Sequence, residues 1–345
     1  MSDTKIEWAT KVWNPLRGCS KVSEGCRNCY AIRQARRFSG SGQPYEGLTE
    51  RTAVGPNWTG KVRLVPEMLG EPFKWRNPER VFVNSMSDLF HPEVPFDYID
   101  EVFAVMALAT QHTFMILTKR PDRMLEWFKS VGSRRPIPGH RVSTGDSPFC
   151  TGGACKTHDA EVGYCGSPWP LPNVWLGVSV ENQEAADERI TLLLQTPAAV
   201  RFLSCEPLLG PISIPHVFME MIDWGDGPRE WGDGAGIINW IIAGGESGPK
   251  ARPMNPDWVR SLRDQCQATG VAFHFKQWGE WMPDPDVVFT PRNIDNIGWF
   301  TPDGFAPDDV GAQYNGEEYI HRIGKKAAGR LLDGREWNEF PEVHT

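Results

Sequence analysis

The sequence lacks any apolar stretch near the roughly 18 residues that a membrane-spanning helix requires, and no N-terminal apolar run has the form of a signal peptide. Those absences lead us to expect a cytoplasmic protein with no membrane partner. It has no low-complexity tract and no fixed-period repeat, which excludes solenoid and propeller architectures. Net positive charge is also missing: the 345 residues sum to −8, so overall electrostatics do not favour nucleic acid. A second C-x2-C pair, the mark of a zinc ribbon, is absent. Eight cysteines in a chain expected to stay in a reducing compartment point to metal or redox chemistry rather than to a disulfide framework.

What is present begins with NPLRGCSKVSEGCRNCYA, which places Cys19, Cys26 and Cys29 within eleven residues, ahead of a helix-like AIRQARRF run. A 4Fe–4S cluster held by cysteine thiolates normally takes four ligands. Three would leave one iron open to a reactive ligand, as in radical S-adenosylmethionine enzymes. Two other readings stay open here: three ligands of a structural zinc, or buried thiols that bind nothing. Charge is uneven along the chain. Residues 1–63 carry eleven Lys and Arg against five acids, about +6 locally, leaving about −14 for the remainder. A basic lobe around the cysteines can face a phosphate-bearing substrate, or be a solvated surface.

Short β-type runs alternate with amphipathic helical runs throughout, the pattern of a parallel α/β architecture. Candidate strands are Ile6–Val12, Lys61–Val65, Arg80–Met86, Thr113–Thr118, Val174–Val180, Val200–Cys205, Ile238–Ala243 and Val271–Lys276. Several are nearly continuous apolar runs, as expected of strands buried on both faces. Helical spacing is clearest in DYIDEVFAVMALATQ, PDRMLEWFKSV, ENQEAADERITLLLQ and NPDWVRSLRDQCQATG. Eight strands in βα alternation predict a complete or partial TIM-like (β/α) barrel over residues 1–281, with the cysteine loop at 14–30, an insertion at 133–172, and a C-terminal cap or extension over 282–345.

In a parallel barrel the residues just past each strand converge on one face, and here those positions are polar. They offer Ser85, Ser87 and Asp88, then Lys119 and Arg120, then Ser179 and Glu181, Ser204 and Glu206, and Gly244, Gly245 and Glu246. The acids can pair an ammonium or a ribose, Lys119 or Arg120 can hold a carboxylate, and the glycines let backbone approach a ligand. The insertion adds Cys150, Cys155, His158 and Cys165, a tetrahedral zinc set by composition; a second cluster or no metal are the rival readings. Cys205 and Cys266 read as core.

Taken with FVNSMSDLFH, LTKRPDRM, NVWLGVSVENQ, RFLSCEPLLGP, IIAGGESGPKARP and FKQWGEW, the cysteine loop resembles the phage-associated three-cysteine-motif family, whose loop is similar to that of spore photoproduct lyase-like radical S-adenosylmethionine proteins. The spacing departs from the broad superfamily, with six and then two residues between cysteines instead of three and two. The resemblance implies a radical-enzyme-type barrel holding a 4Fe–4S cluster on Cys19, Cys26 and Cys29. It further implies S-adenosylmethionine as cofactor and an electron donor such as flavodoxin or ferredoxin. A nucleotide or nucleic-acid base is the expected substrate. Two alternatives belong to other classes: a non-catalytic, metal-stabilised nucleic-acid- or partner-binding protein, and a metal-dependent nuclease using the acidic strand ends.

Overall fold

A computed structural model describes residues 4, 6–133, 170–219, 237–284, 296–301, 304–307 and 318–342. Seven parallel strands form its central sheet: β1 (Lys11–Trp13), β6 (Arg80–Val83), β7 (Thr113–Thr118), β8 (Val174–Ser179), β9 (Val200–Cys205), β10 (Trp240–Gly244) and β11 (Ala272–Gln277). They lie side by side in chain order, and the sheet curls into a half-barrel. Between β1 and β6 the chain builds a small lobe from β2 (Leu16–Arg17), α1 (Tyr30–Arg37), the hairpin β3 (Thr49–Thr52) and β4 (Gly55–Trp58), and β5 (Arg63–Leu64).

Alternation along each strand sorts side chains between two faces. Val81, Val83, Phe114, Ile116, Leu176, Val178, Leu203, Ile241, Phe273 and Phe275 join the large core with α2 (Phe96–Leu108), α3 (Pro121–Ser133), α4 (Gln183–Leu194) and α5 (Pro256–Thr269). Phe82, Met115, Trp175, Phe202, Trp240 and Ile242 form a second cluster on the opposite, concave face, closed by Trp8 and Phe340. Two helices begin as the sequence indicates. Asn182 Oδ1 accepts from the Ala185 N–H at 3.0 Å, and Asn255 Oδ1 accepts from the Asp257 N–H at 2.9 Å, satisfying donors that have no partner in the helix.

The expected eighth strand is corrected. Lys61–Val65 contributes only Arg63–Leu64, which pairs antiparallel with Leu16–Arg17 in the lobe and not with the barrel. The first strand is likewise Lys11–Trp13 and not Ile6–Val12. At the other edge, the C-terminal segment covers β11: the Phe275 N–H donates to Trp337 O at 3.0 Å and the Glu339 N–H to Phe273 O at 3.2 Å, which shields an open strand edge. A four-stranded antiparallel sheet of β12 (Trp281–Pro283), β15 (Ile320–Arg322), β13 (Ile297–Thr301) and β14 (Gly304–Pro307), with the short α6 (Lys325–Ala328), completes the described chain. None of its helices is long and apolar enough to cross a membrane.

Candidate metal centre

Cys19, Cys26 and Cys29 lie on the segment joining β2 to α1, half-buried and free of disulfides. The segment leaves β2 through Gly18 at φ +90°, where a Cβ would meet Lys61 O at 2.3 Å, so only glycine fits. Cys29 caps α1. Burial pushes the Cys19 thiol up to about 12, reinforced by the Asp88 carboxylate and by the two other cysteines. Burial also raises Cys29, against which the Ala31 and Ile32 N–H groups at the head of α1, and Lys119, pull down. Both Cys19 and Cys29 thus feel the charge of Cys26.

Three carboxylate–arginine pairs hold this loop, each delivered by the end of a parallel strand. Past β6, Asp88 Oδ2 accepts from Arg120 Nη1 at 2.8 Å, and Arg120 Nη2 donates to Ser20 O at 3.0 Å and Ser20 Oγ at 2.9 Å. Arg120 Nη1 also points to Cys19 Sγ at 3.9 Å. His91 Nε2 reaches the same Ser20 hydroxyl at 2.8 Å. Past β8, Glu181 Oε2 accepts from Arg189 Nη1 at 2.9 Å and Oε1 from the Gly25 N–H at 3.4 Å. Past β10, Glu246 accepts from Arg252 and from Asn28 Nδ2 at 2.8 Å, while Arg252 Nη2 donates to Glu24 O at 3.0 Å. The loop is thus fastened beside Cys19, just before Cys26, and between Cys26 and Cys29.

These pairs are costly to break. Arg189 and Glu181 are 4% and 2% exposed, and Arg120 and Asp88 are 9% and 8%. Desolvation of such ions is repaid only by full hydrogen bonding. Burial would raise the Glu181 carboxyl, but Lys119 and Arg189 hold it below the usual carboxylate range. Arg252 and Asn28 do the same for Glu246 against its own burial.

The other expected site residues meet different partners. Ser85 and Ser87 fasten local backbone: Tyr30 Oη donates to Ser85 O at 2.6 Å, and Ser87 Oγ donates to Leu16 O at 2.9 Å. Gly244 and Gly245 make room for the chain itself. A Cβ on Gly245 would stand 1.9 Å from Trp278 O, and one on Gly244 3.0 Å from Glu206 Oε1. Glu206 instead faces Lys276 Nζ at 2.9 Å. Ser179 and Ser204 are register partners on the concave face, with Ile242 and His274 continuing the row. Lys119 approaches Cys29 and Glu181, and its ammonium has no hydrogen-bond or ion-pair partner among the described residues. Ser20, Asn28, His91, Arg189 and Arg252 escaped sequence reasoning. Cys150, Cys155, His158 and Cys165 lie outside the described residues.

The donor set bears on which metal group fits. Among the described residues, no three His, Cys, Asp or Glu side chains are drawn up around a single ion, the arrangement a structural zinc demands. A cubane gives each thiolate its own iron and so spreads its ligands wider. Arg120 and Lys119 supply cationic partners for thiolates on such a cluster. Cys205 and Cys266, the other described cysteines, are buried in the large core with the helices and supply no fourth ligand.

Compared with known proteins, residues 3–341 match the family model described as protein of unknown function (DUF5131). No curated protein and no solved structure matches the chain.

Proposed function

The chain belongs to the DUF5131 family, which brings no activity with it, and from the cysteine loop we propose a radical S-adenosylmethionine-like iron–sulfur enzyme with a half-barrel of that type. One observation carries the reading: three free thiols share a loop that three carboxylate–arginine pairs, two of them buried and one half-buried, hold at the strand ends, with the described core cysteines turned away. Cys19, Cys26 and Cys29 would hold a 4Fe–4S cluster with one iron lacking a protein ligand. Together with S-adenosylmethionine, such a cluster supplies one-electron cleavage of a sulfonium and hence a carbon radical able to remove a hydrogen atom from substrate.

The chain's own residues orient and shield. Arg120 and the N–H groups heading α1 stabilise negative charge on the sulfurs. Lys119, which acts electrostatically on Cys29 and Glu181 and has no hydrogen-bond or ion-pair partner for its ammonium among the described residues, is placed to receive a carboxylate. Ser179, Ser204 and the Glu206–Lys276 pair offer hydroxyl and charged partners on the concave face. The aromatic cluster beneath them keeps water out of the floor.

Two alternatives lose ground on physical argument. A structural metal orders a segment that has no other support, whereas this loop is already braced at three points. A metal-dependent nuclease needs carboxylates available to a cation, whereas Asp88, Glu181 and Glu246 each face an arginine and Glu206 a lysine. Anaerobic reconstitution with iron and sulfide tests the proposal. It should yield about four irons per chain and a visible absorption that bleaches with dithionite, both lost on Cys→Ala at each of the three positions. Stoichiometric zinc in a colourless protein would defeat it.

A further inference from the structure

The lobe that carries the cysteines has a surface the site does not use. Helix α1 buries Ala31, Ile32 and Ala35 against Leu48 and Trp58 of the hairpin segment, and turns Tyr30, Gln34, Arg37 and Phe38 outward. Those four recur at helical spacing, so they form one stripe running away from Cys29. The Tyr30 and Phe38 rings are 48% and 51% exposed, with only the Tyr30 hydroxyl tied down, to Ser85 O. Arg36 stands exposed on the same helix, and Lys21, Arg51 and Lys61 are exposed elsewhere in the lobe; among the described residues none of these or Arg37 pairs with a carboxylate. Residues 14–65 contain just three acids, of which Glu24 is already bridged to Arg27 and Arg252.

Uncompensated cations on a lobe that also exposes aromatic rings match one polymer in both its parts. Phosphates answer the cations and unstacked bases answer the rings, whereas a duplex hides the base faces. We propose that this lobe binds single-stranded nucleic acid, laid along α1 so that a base stacked on Tyr30 arrives beside the cysteine loop. The binding surface stands on its own; the strand's role as substrate rests on the enzymatic reading above.

The test is fluorescence anisotropy with labelled oligodeoxythymidine, oligouridine and a duplex of equal length, over a salt series, using the full chain and the Cys19→Ala/Cys26→Ala/Cys29→Ala variant. Both proteins should bind the single strands with a log–log salt slope of about −3 for four phosphate contacts, and the preferred sugar identifies DNA or RNA as the source. Arg36→Ala/Arg37→Ala/Arg51→Ala/Lys61→Ala should flatten the slope by about 0.7 for each contact removed. Phe38→Ala should weaken binding about fivefold or more, while Leu331→Ala, at an exposed position outside the lobe, keeps the affinity. Equal affinity for the duplex, or binding to anionic phosphatidylserine vesicles without retention of either strand, would overturn the proposal. Loss of iron with binding intact would remove the enzymatic reading alone; a cluster-loaded protein that ignores both strands would remove this inference alone.

Discussion

Removing the Glu181 carboxylate should cost far more than removing the whole pair it belongs to. In Glu181→Ala, Arg189 keeps its charge at 4% exposure with its carboxylate partner gone, and the Gly25 N–H loses its acceptor. Truncating one partner of a buried ion pair typically costs about 3–5 kcal/mol. In Glu181→Leu/Arg189→Met no charge is left behind, and the apolar pair recovers packing, so the net loss should be about 1 kcal/mol. The double variant should therefore be about 2–4 kcal/mol more stable than Glu181→Ala alone, the opposite of additive losses. Urea unfolding followed by tryptophan fluorescence measures each variant, provided the transitions have equal steepness. Single variants costing under about 1 kcal/mol, or losses that simply add, would refute the claim that this pair is a buried brace on the cysteine loop.

Three further outcomes follow from the same geometry. His274 is 1% exposed on the concave face; burial, with Arg330, Lys276 and Arg80 nearby, lowers it to about 3. The native state therefore binds fewer protons than the unfolded chain between about pH 3 and 6.5, so stability from this group is full above 6.5 and falls as pH drops towards 3. His274→Phe should match wild type at pH 7 and exceed it by up to about 4 kcal/mol near pH 3; parallel pH profiles in urea titrations would refute this. Gly245→Ala drives a Cβ towards the Trp278 carbonyl and should cost about 3 kcal/mol, whereas a thermal melt unchanged from wild type would show that the chain has room there. Asn28→Ala removes one tie between the loop and Glu246 in a half-exposed position, so unfolding should shift by about 1 kcal/mol or less while reconstituted iron content drops; full iron retention would mean the tie is dispensable.

Much of the half-barrel was legible because buried parallel strands write themselves as apolar runs. Thr113–Thr118 and Val200–Cys205 come out with both ends as expected. Lys61–Val65 has the same alternation in a shorter form, and nothing local distinguishes a barrel strand from a two-residue pairing in a lobe. The cysteines announced themselves by spacing, and the strand-end acids by position. What those acids do was hidden, because Gly25 meets Glu181 across 156 residues and Asn28 meets Glu246 across 218. Arg189 sits within an amphipathic helix where a charged residue looks solvated, and only the fold turns it onto Glu181. The packing role of the glycines was hidden for a related reason: the space beside them is filled by the distant Trp278 carbonyl and Glu206 side chain.

The open iron is the central claim, and low-temperature electron paramagnetic resonance of the dithionite-reduced, reconstituted chain tests it most directly. Adding S-adenosylmethionine should change the cluster signal, and S-adenosylmethionine with any one of Cys19→Ala, Cys26→Ala or Cys29→Ala should find no such signal to change. A reduced cluster whose spectrum is indifferent to the cofactor, or the absence of any cluster signal in the unmutated chain, would contradict the account.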